Sequence, residues 1–149
     1  MTDLVILDPN SIETVPQHQI AVSSSYGFDE TLQRLRDAIA VAELWIIQEI
    51  DPQALLRKGG FATIRLRQLF WFHPRYMAWL LRADPGAVPE APLKFVVSEQ
   101  AAGVTVRALN PILVFSPYPR LSDLAQELFD TTERMLLTVC ATPVSTGGI

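Results

Sequence analysis

Leu93-Lys94-Phe95-Val96-Val97-Ser98 and Val104-Thr105-Val106-Arg107-Ala108-Leu109 stand on either side of Glu99-Gln100-Ala101-Ala102-Gly103. Two β-prone segments around a five-residue loop that contains glycine predict a hairpin, and so an antiparallel pair. Asn110-Pro111 breaks the second strand, and the apolar stretch Ile112 to Phe115 fits strand or helix equally. Beyond it, Leu121, Leu124, Leu128, Thr132, Met135 and Val139 repeat at helical spacing, with Asp123, Gln126, Glu127 and Glu133 on the polar side. That pattern predicts a long amphipathic helix.

On the N-terminal side of the hairpin, Thr63 to Phe72 reads as a strand. Ile64, Leu66, Phe70 and Phe72 share one face, while Arg65, Arg67, Leu69, Trp71 and His73 share the other. Pro74 is placed as the first residue of a helix whose apolar stripe is Tyr76, Met77, Leu80 and Leu81, and Asp84-Pro85-Gly86 stops it. Asp51 before Pro52 has the form of an N-cap for a brief helix that Gly59-Gly60 ends. Trp45 to Ile50 is a short strand, and Gln17 to Ser24 a first one. Between them Gly27, with Glu30 three residues on, opens a helix with Phe28, Leu32, Leu35 and Ile39 on its apolar side. The order β-α-β-β-α-β-β-α predicts an α+β fold, mainly an antiparallel sheet with helices packed on one face. Residues 1–16 read as a lead-in, 17–140 as a single domain, and 141–149 as a mobile tail.

Composition agrees with such a fold. The 149 residues are 49% hydrophobic and 19% charged, enough apolar surface for a core and too much for disorder. No apolar run has the roughly 18 to 20 residues a membrane helix needs, and the N-terminus lacks a basic signal-like region. Cys140 is the only cysteine, which excludes an internal disulfide and makes the cytoplasm the expected compartment.

The net charge of −4 argues against non-specific nucleic-acid binding, as does the absence of a recognisable reader motif. The charge is nevertheless uneven. Between Pro52 and Ala83 there is no Asp or Glu, yet six of the 12 basic residues lie there. In a strand, Arg65, Arg67, Trp71 and His73 would line one side, next to the N–H-rich start of the helix that carries Arg75 and Tyr76. With Lys94 from the next strand, these seven residues form the expected ligand site, suited to a small anion such as a carboxylate or phosphate. The competing reading pairs the arginines with acids elsewhere and makes Trp71 a core residue or, with Trp79, a contact between subunits.

Other chemistry has thinner support. His73 and Met77, four apart across a helix start, could ligate haem iron or copper, and a redox role on that pair is the alternative function; His18 is the only other histidine. Glu49 and Asp51 would point the same way in a strand, as a proton-sharing pair does, although Asp51 also has a use as a cap. No Gly-x-Ser-x-Gly, P-loop or Gly-x-Gly-x-x-Gly pattern occurs, and no catalytic residue is assigned.

Three stretches carry a resemblance. Gly27-Phe28-Asp29-Glu30-Thr31, Glu49-Ile50-Asp51 and Arg67-Gln68-Leu69-Phe70-Trp71-Phe72-His73-Pro74-Arg75-Tyr76-Met77 occur in that order, followed by Ala83-Asp84-Pro85 and Ala91-Pro92-Leu93-Lys94. Together, over residues 17 to 139, they resemble the bacterial and archaeal domain-of-unknown-function 302 family. The resemblance implies a compact α+β domain with a TATA-binding-protein-like layout that assembles as a homodimer. It implies no activity and supplies no catalytic residues. Many members carry Cys and Asn near the strand-to-helix junction and another Cys before the next strand; Phe72-His73 and Ala91-Pro92-Leu93 stand there instead. The expected function is therefore a dimeric module that binds a small anion or a partner, without chemistry of its own, its cofactors unknown and neither nucleic acid nor membrane among its partners.

Overall fold

A computed structural model describes residues 3–7 and 13–140; the expected mobile tail, 141–149, lies outside the described residues. The elements begin with β1 (Val5–Ile6), β2 (Gln19–Ser23), α1 (Phe28–Val41), β3 (Trp45–Ile50) and α2 (Pro52–Lys58). They continue with β4 (Phe61–Ala62), β5 (Leu66–Phe72), α3 (Pro74–Ala83) and a 3-10 turn at Pro85–Glu90. The hairpin strands β6 (Leu93–Gln100) and β7 (Gly103–Leu109) follow. Then come α4 (Pro111–Val114), a second 3-10 turn at Pro119–Leu121, and α5 (Ser122–Leu137).

The main sheet has the order β2-β7-β6-β5-β3, every neighbouring pair antiparallel. The fold is α+β, as the sequence predicts. The hairpin is tighter than its composition suggests: Glu99 pairs with Val104 and Gln100 with Gly103, leaving only Ala101 and Ala102 in the loop. Polar residues can stay in a ladder whose outer face meets water. Gly103 takes φ +138°, a conformation that residues with a Cβ rarely adopt.

The third strand is also shorter than expected. Residues 63–65 fall outside it, and Phe61–Ala62 instead forms a parallel ladder with Val5–Ile6 of the lead-in. Ile112 to Phe115 resolves into the short helix α4, because the Asn110 side chain accepts from the Ile112 amide and caps it.

One side of the sheet is covered by helices. Leu69, Trp71, Leu93, Phe95, Val97, Val104, Val106 and Ala108 face inward and are buried. Against them pack Phe28, Leu32, Leu35 and Ile39 of α1, and Leu124, Leu128 and Met135 of α5. At roughly 1.5–3 kcal/mol for each large side chain fully buried, this layer is the main source of stability. Polar residues follow the same logic: Thr132 is buried within α5, and its hydroxyl donates to the Leu128 carbonyl at 2.8 Å. No helix among the described residues is long and apolar enough to cross a membrane.

α1 ends by a left-handed turn. Glu43 has φ 58°, and the Leu44 amide bonds back to the Ile39 carbonyl at 3.0 Å. That turn brings β3 back antiparallel to β5 and leaves the Glu43 carbonyl beside the start of α3.

Candidate functional site

β5 sends alternate residues to opposite sides of the sheet, but the side bearing Arg67, Leu69 and Trp71 is the one the helices cover. Trp71 is 1% exposed and stacks on Phe95 with ring centroids 5.9 Å apart. The expected open surface of Arg65, Arg67, Trp71 and His73 is thus corrected: Leu69 and Trp71 are committed to the core. Trp71 is equally unavailable as a contact between subunits. Trp79 is partly buried against the same core.

Arg65 and Arg67 emerge at the margin of the helix layer, and both are paired. Arg65 bonds Asp29 in the first turn of α1 and lies 4.6 Å from the Phe28 ring centroid. Arg67 bridges Glu49 (Nε, 3.5 Å) and Asp51 (Nη1, 3.1 Å). Arg36 of α1 donates to both Glu49 oxygens, at 3.0 and 2.7 Å. The Arg36 hydrogen bond, opposed by partial burial and aided by Arg67, holds the Glu49 carboxyl below the usual carboxylate range. The two carboxylates therefore share an arginine, not a proton, and Asp51 also accepts the Ala54 amide as the cap of α2.

His73 caps α3, its Nδ1 accepting the Arg75 amide at 3.0 Å, while Trp45 packs edge-on at 5.3 Å. Met77 packs against the core, and His18 precedes β2 at the far edge of the sheet. No group of three or more His, Cys, Asp or Glu among the described residues could hold a metal ion. Lys94 lies on the opposite side of the sheet, cross-strand from Phe70, and donates to Gln68 Oε1 at 3.0 Å. It does not join the others.

Of the seven expected residues, Lys94 lines a small pocket of about 120 Å³ with Gln19 and Arg107, while Arg75 and Tyr76 together border a larger cavity. It is a groove of about 1090 Å³ between α1 and α5, closed at one end by the start of α3. Ala38, Val41, Ala42 and Met135 form its apolar lining. Its charged lining is balanced, with Glu30, Asp37 and Glu127 against Arg34, Arg75 and Arg134. Arg34 is fully engaged: it pairs with Glu30 at 2.9 Å, reaches the Thr138 carbonyl at 3.4 Å and covers the Tyr26 ring at 3.8 Å. Asp37 accepts from Gln33 at 2.9 Å.

The remaining charges are less committed. Arg134 donates to the Thr131 hydroxyl at 3.2 Å. Arg75 donates to the Glu43 carbonyl at 3.0 Å and reaches the Tyr76 hydroxyl at 3.5 Å. Neither arginine has a carboxylate within ion-pair distance among the described residues, and neither does Glu127 have a cation. Burial first, and then the facing Glu127 carboxylate, push the Tyr76 phenol above its ordinary range, so it stays protonated and serves as a donor.

Sequence reasoning missed this groove because it read the two helices separately, each by its apolar stripe, with Glu127 simply on the polar side of the second. The available signal was slight: Ala38 and Ala42, one turn apart beside charged residues, with Thr131 on the other helix. Small side chains at such positions signify a depression only once the two helices are known to be neighbours.

Comparison with known proteins bears on the fold and the family. No curated protein matches the chain. Among solved structures, it is similar to the crystal structure of an uncharacterized conserved DUF302 protein from Bacillus stearothermophilus. The TM-score is 0.78 at 17% identity, covering 84% of this chain and 100% of that one. At that identity the likeness speaks for the fold alone. The sequence model of the domain of unknown function DUF302 matches residues 20–139, most of the length, and by that match the chain belongs to the DUF302 family.

Proposed function

We propose that this protein is a binding module without chemistry of its own, and that it takes a small molecule with an anionic group and an apolar body into the groove between α1 and α5. The observation that carries this reading is the pair Arg75 and Arg134, two guanidiniums without an acidic partner among the described residues, over a lining of Ala38, Val41, Ala42 and Met135. Ligand sites combine mostly apolar walls with a few converging polar groups, and the volume lies just above the usual roughly 300–1,000 Å³. The anion expected from the sequence is retained, while its site moves from the sheet to the helices. The single Cys140 keeps the cytoplasm as the compartment of this reading.

A thermal-shift titration with hexanoate and octanoate tests it. Both should raise the melting temperature of the wild type, octanoate more, and Arg134→Ala should reduce the effect. Equal stabilisation of wild type and Arg134→Ala would place the anion elsewhere.

Self-association is the second part of the reading, and a different observation favours it. Edge strand β3 exposes Trp45, Ile46 and Ile47 in succession, each more than 40% exposed, beside an outer backbone edge open to pairing. Such an edge invites a further strand, and a second copy pairing antiparallel about a two-fold axis would satisfy both edges at once. Sedimentation at micromolar concentration should give a dimer for the wild type and a monomer for Ile47→Lys. A dimer unchanged by that substitution would exclude β3 as the contact.

A further inference from the structure

The groove is not simply basic. Its lining holds three acids and three arginines, so it offers no net field to a ligand of one sign. After internal pairing, Arg34 is consumed by Glu30 and the Thr138 carbonyl. What remains at the α3 end is an arginine, a carboxylate and the Tyr76 hydroxyl, all lining one groove. Arg75 approaches the Tyr76 oxygen at 3.5 Å, and Glu127 faces the same hydroxyl. The guanidinium donates to the phenol oxygen, which leaves the phenol O–H free to turn toward the carboxylate. Arg75 is itself tethered by the Glu43 carbonyl at 3.0 Å. Tyr76 is 3% exposed and therefore fixed. Two opposite charges thus line the same end of the groove beside one phenol, each with hydrogen-bonding capacity to spare.

We infer that the groove selects a zwitterion whose two charges sit close together, a free α-amino acid with an apolar side chain. Its carboxylate would meet Arg75, its ammonium Glu127, and its side chain the apolar lining of Ala38, Val41, Ala42 and Met135. An ω-amino acid, with its charges at the two ends of the chain, does not fit that pairing. Nor does a simple fatty acid, which leaves the Glu127 carboxylate unanswered and places a second anion near it. The inference rests on the groove being a ligand site and adds the cationic half of the ligand.

Isothermal titration of the full chain with three probes separates the two. L-norleucine carries both charges; hexanoate is the same molecule without the ammonium, and pentylamine is the same without the carboxylate. L-norleucine should bind at least tenfold more tightly than either truncated probe, since each lost charge-assisted contact is worth about tenfold or more. In Glu127→Gln the preference for L-norleucine over hexanoate should collapse while hexanoate still binds, which also shows that the variant is folded. Hexanoate binding as tightly as L-norleucine to the wild type would overturn the zwitterion and leave the groove reading standing. Failure of all three probes to bind would overturn both, as would a preference for L-norleucine that persists in Glu127→Gln and Arg75→Gln alike.

Discussion

Replacing Arg67 by alanine separates a structural arginine from a ligand-binding one. The side chain is 22% exposed, bridges Glu49 at 3.5 Å and Asp51 at 3.1 Å, and lies 5.7 Å from the Phe28 ring centroid. An exposed ion pair contributes about 0–1 kcal/mol, and the Arg67 pairs, being partly shielded, belong at the upper end of that range. Two such pairs, with some loss of packing against Phe28, give a destabilisation of about 2 kcal/mol. In a chain of this size that corresponds to a melting temperature lower by roughly 4–8 °C. Urea unfolding followed by tryptophan fluorescence measures it, with the slope unchanged if the native state is otherwise intact. Ligand binding in the α1/α5 groove should be unaffected. A variant as stable as the wild type that has lost anion binding would refute the reasoning, because Arg67 would then act on a ligand and not on Glu49 and Asp51.

Three further outcomes follow from the same geometry. Arg36→Ala should cost stability at neutral pH, and the difference from the wild type should shrink in acid. Glu49 has a folded pKa below its unfolded value of about 4.3, so its contribution is complete above that value and is lost as pH falls through the folded pKa; a gap between the two proteins that stays constant from pH 7 to pH 3 would contradict it. Trp71→Ala should lose about 3–5 kcal/mol by urea unfolding, as buried aromatics do, whereas near-native stability with altered sedimentation would return Trp71 to a subunit contact. Glu43→Gly should gain about 0.5–1 kcal/mol, because φ 58° strains a residue with a Cβ; a lower melting temperature would show that the glutamate side chain outweighs the strain.

What the sequence disclosed, and what it hid, divides along a physical line. Local chemistry was legible. Asp51-Pro52 and His73-Pro74 are helix starts whose side-chain acceptors lie within three residues of the amides they cap, and both caps form, each at 3.0 Å. The two β-prone runs Leu93–Ser98 and Val104–Leu109 around a glycine-containing loop were enough for a hairpin, because strand propensity and turn chemistry lie in the segment's own residues. The side of β5 that the helices cover was not legible in the same way. Leu69 and Trp71 compete with Leu66, Phe70 and Phe72 for the core, and both sets are apolar. The charges beside them pointed the wrong way, since Arg65 and Arg67 take partners from α1, β3 and the loop before α2.

A run of basic residues free of acids in sequence is therefore no measure of free charge in space. The acids that neutralise Arg65 and Arg67 lie 36, 18 and 16 positions earlier in the chain, at Asp29, Glu49 and Asp51. Arg75, from the same run, escapes because Pro74 starts the helix there and turns its side chain toward Glu43, away from the Glu49 cluster. Arg134, in the last turn of α5, escapes for the converse reason. Its nearest polar partner is the Thr131 hydroxyl, a neutral group three residues back on the same helix. Which cations remain available to a ligand is thus set by how the helices pack, and the groove between α1 and α5 is where that packing leaves two of them facing one cavity.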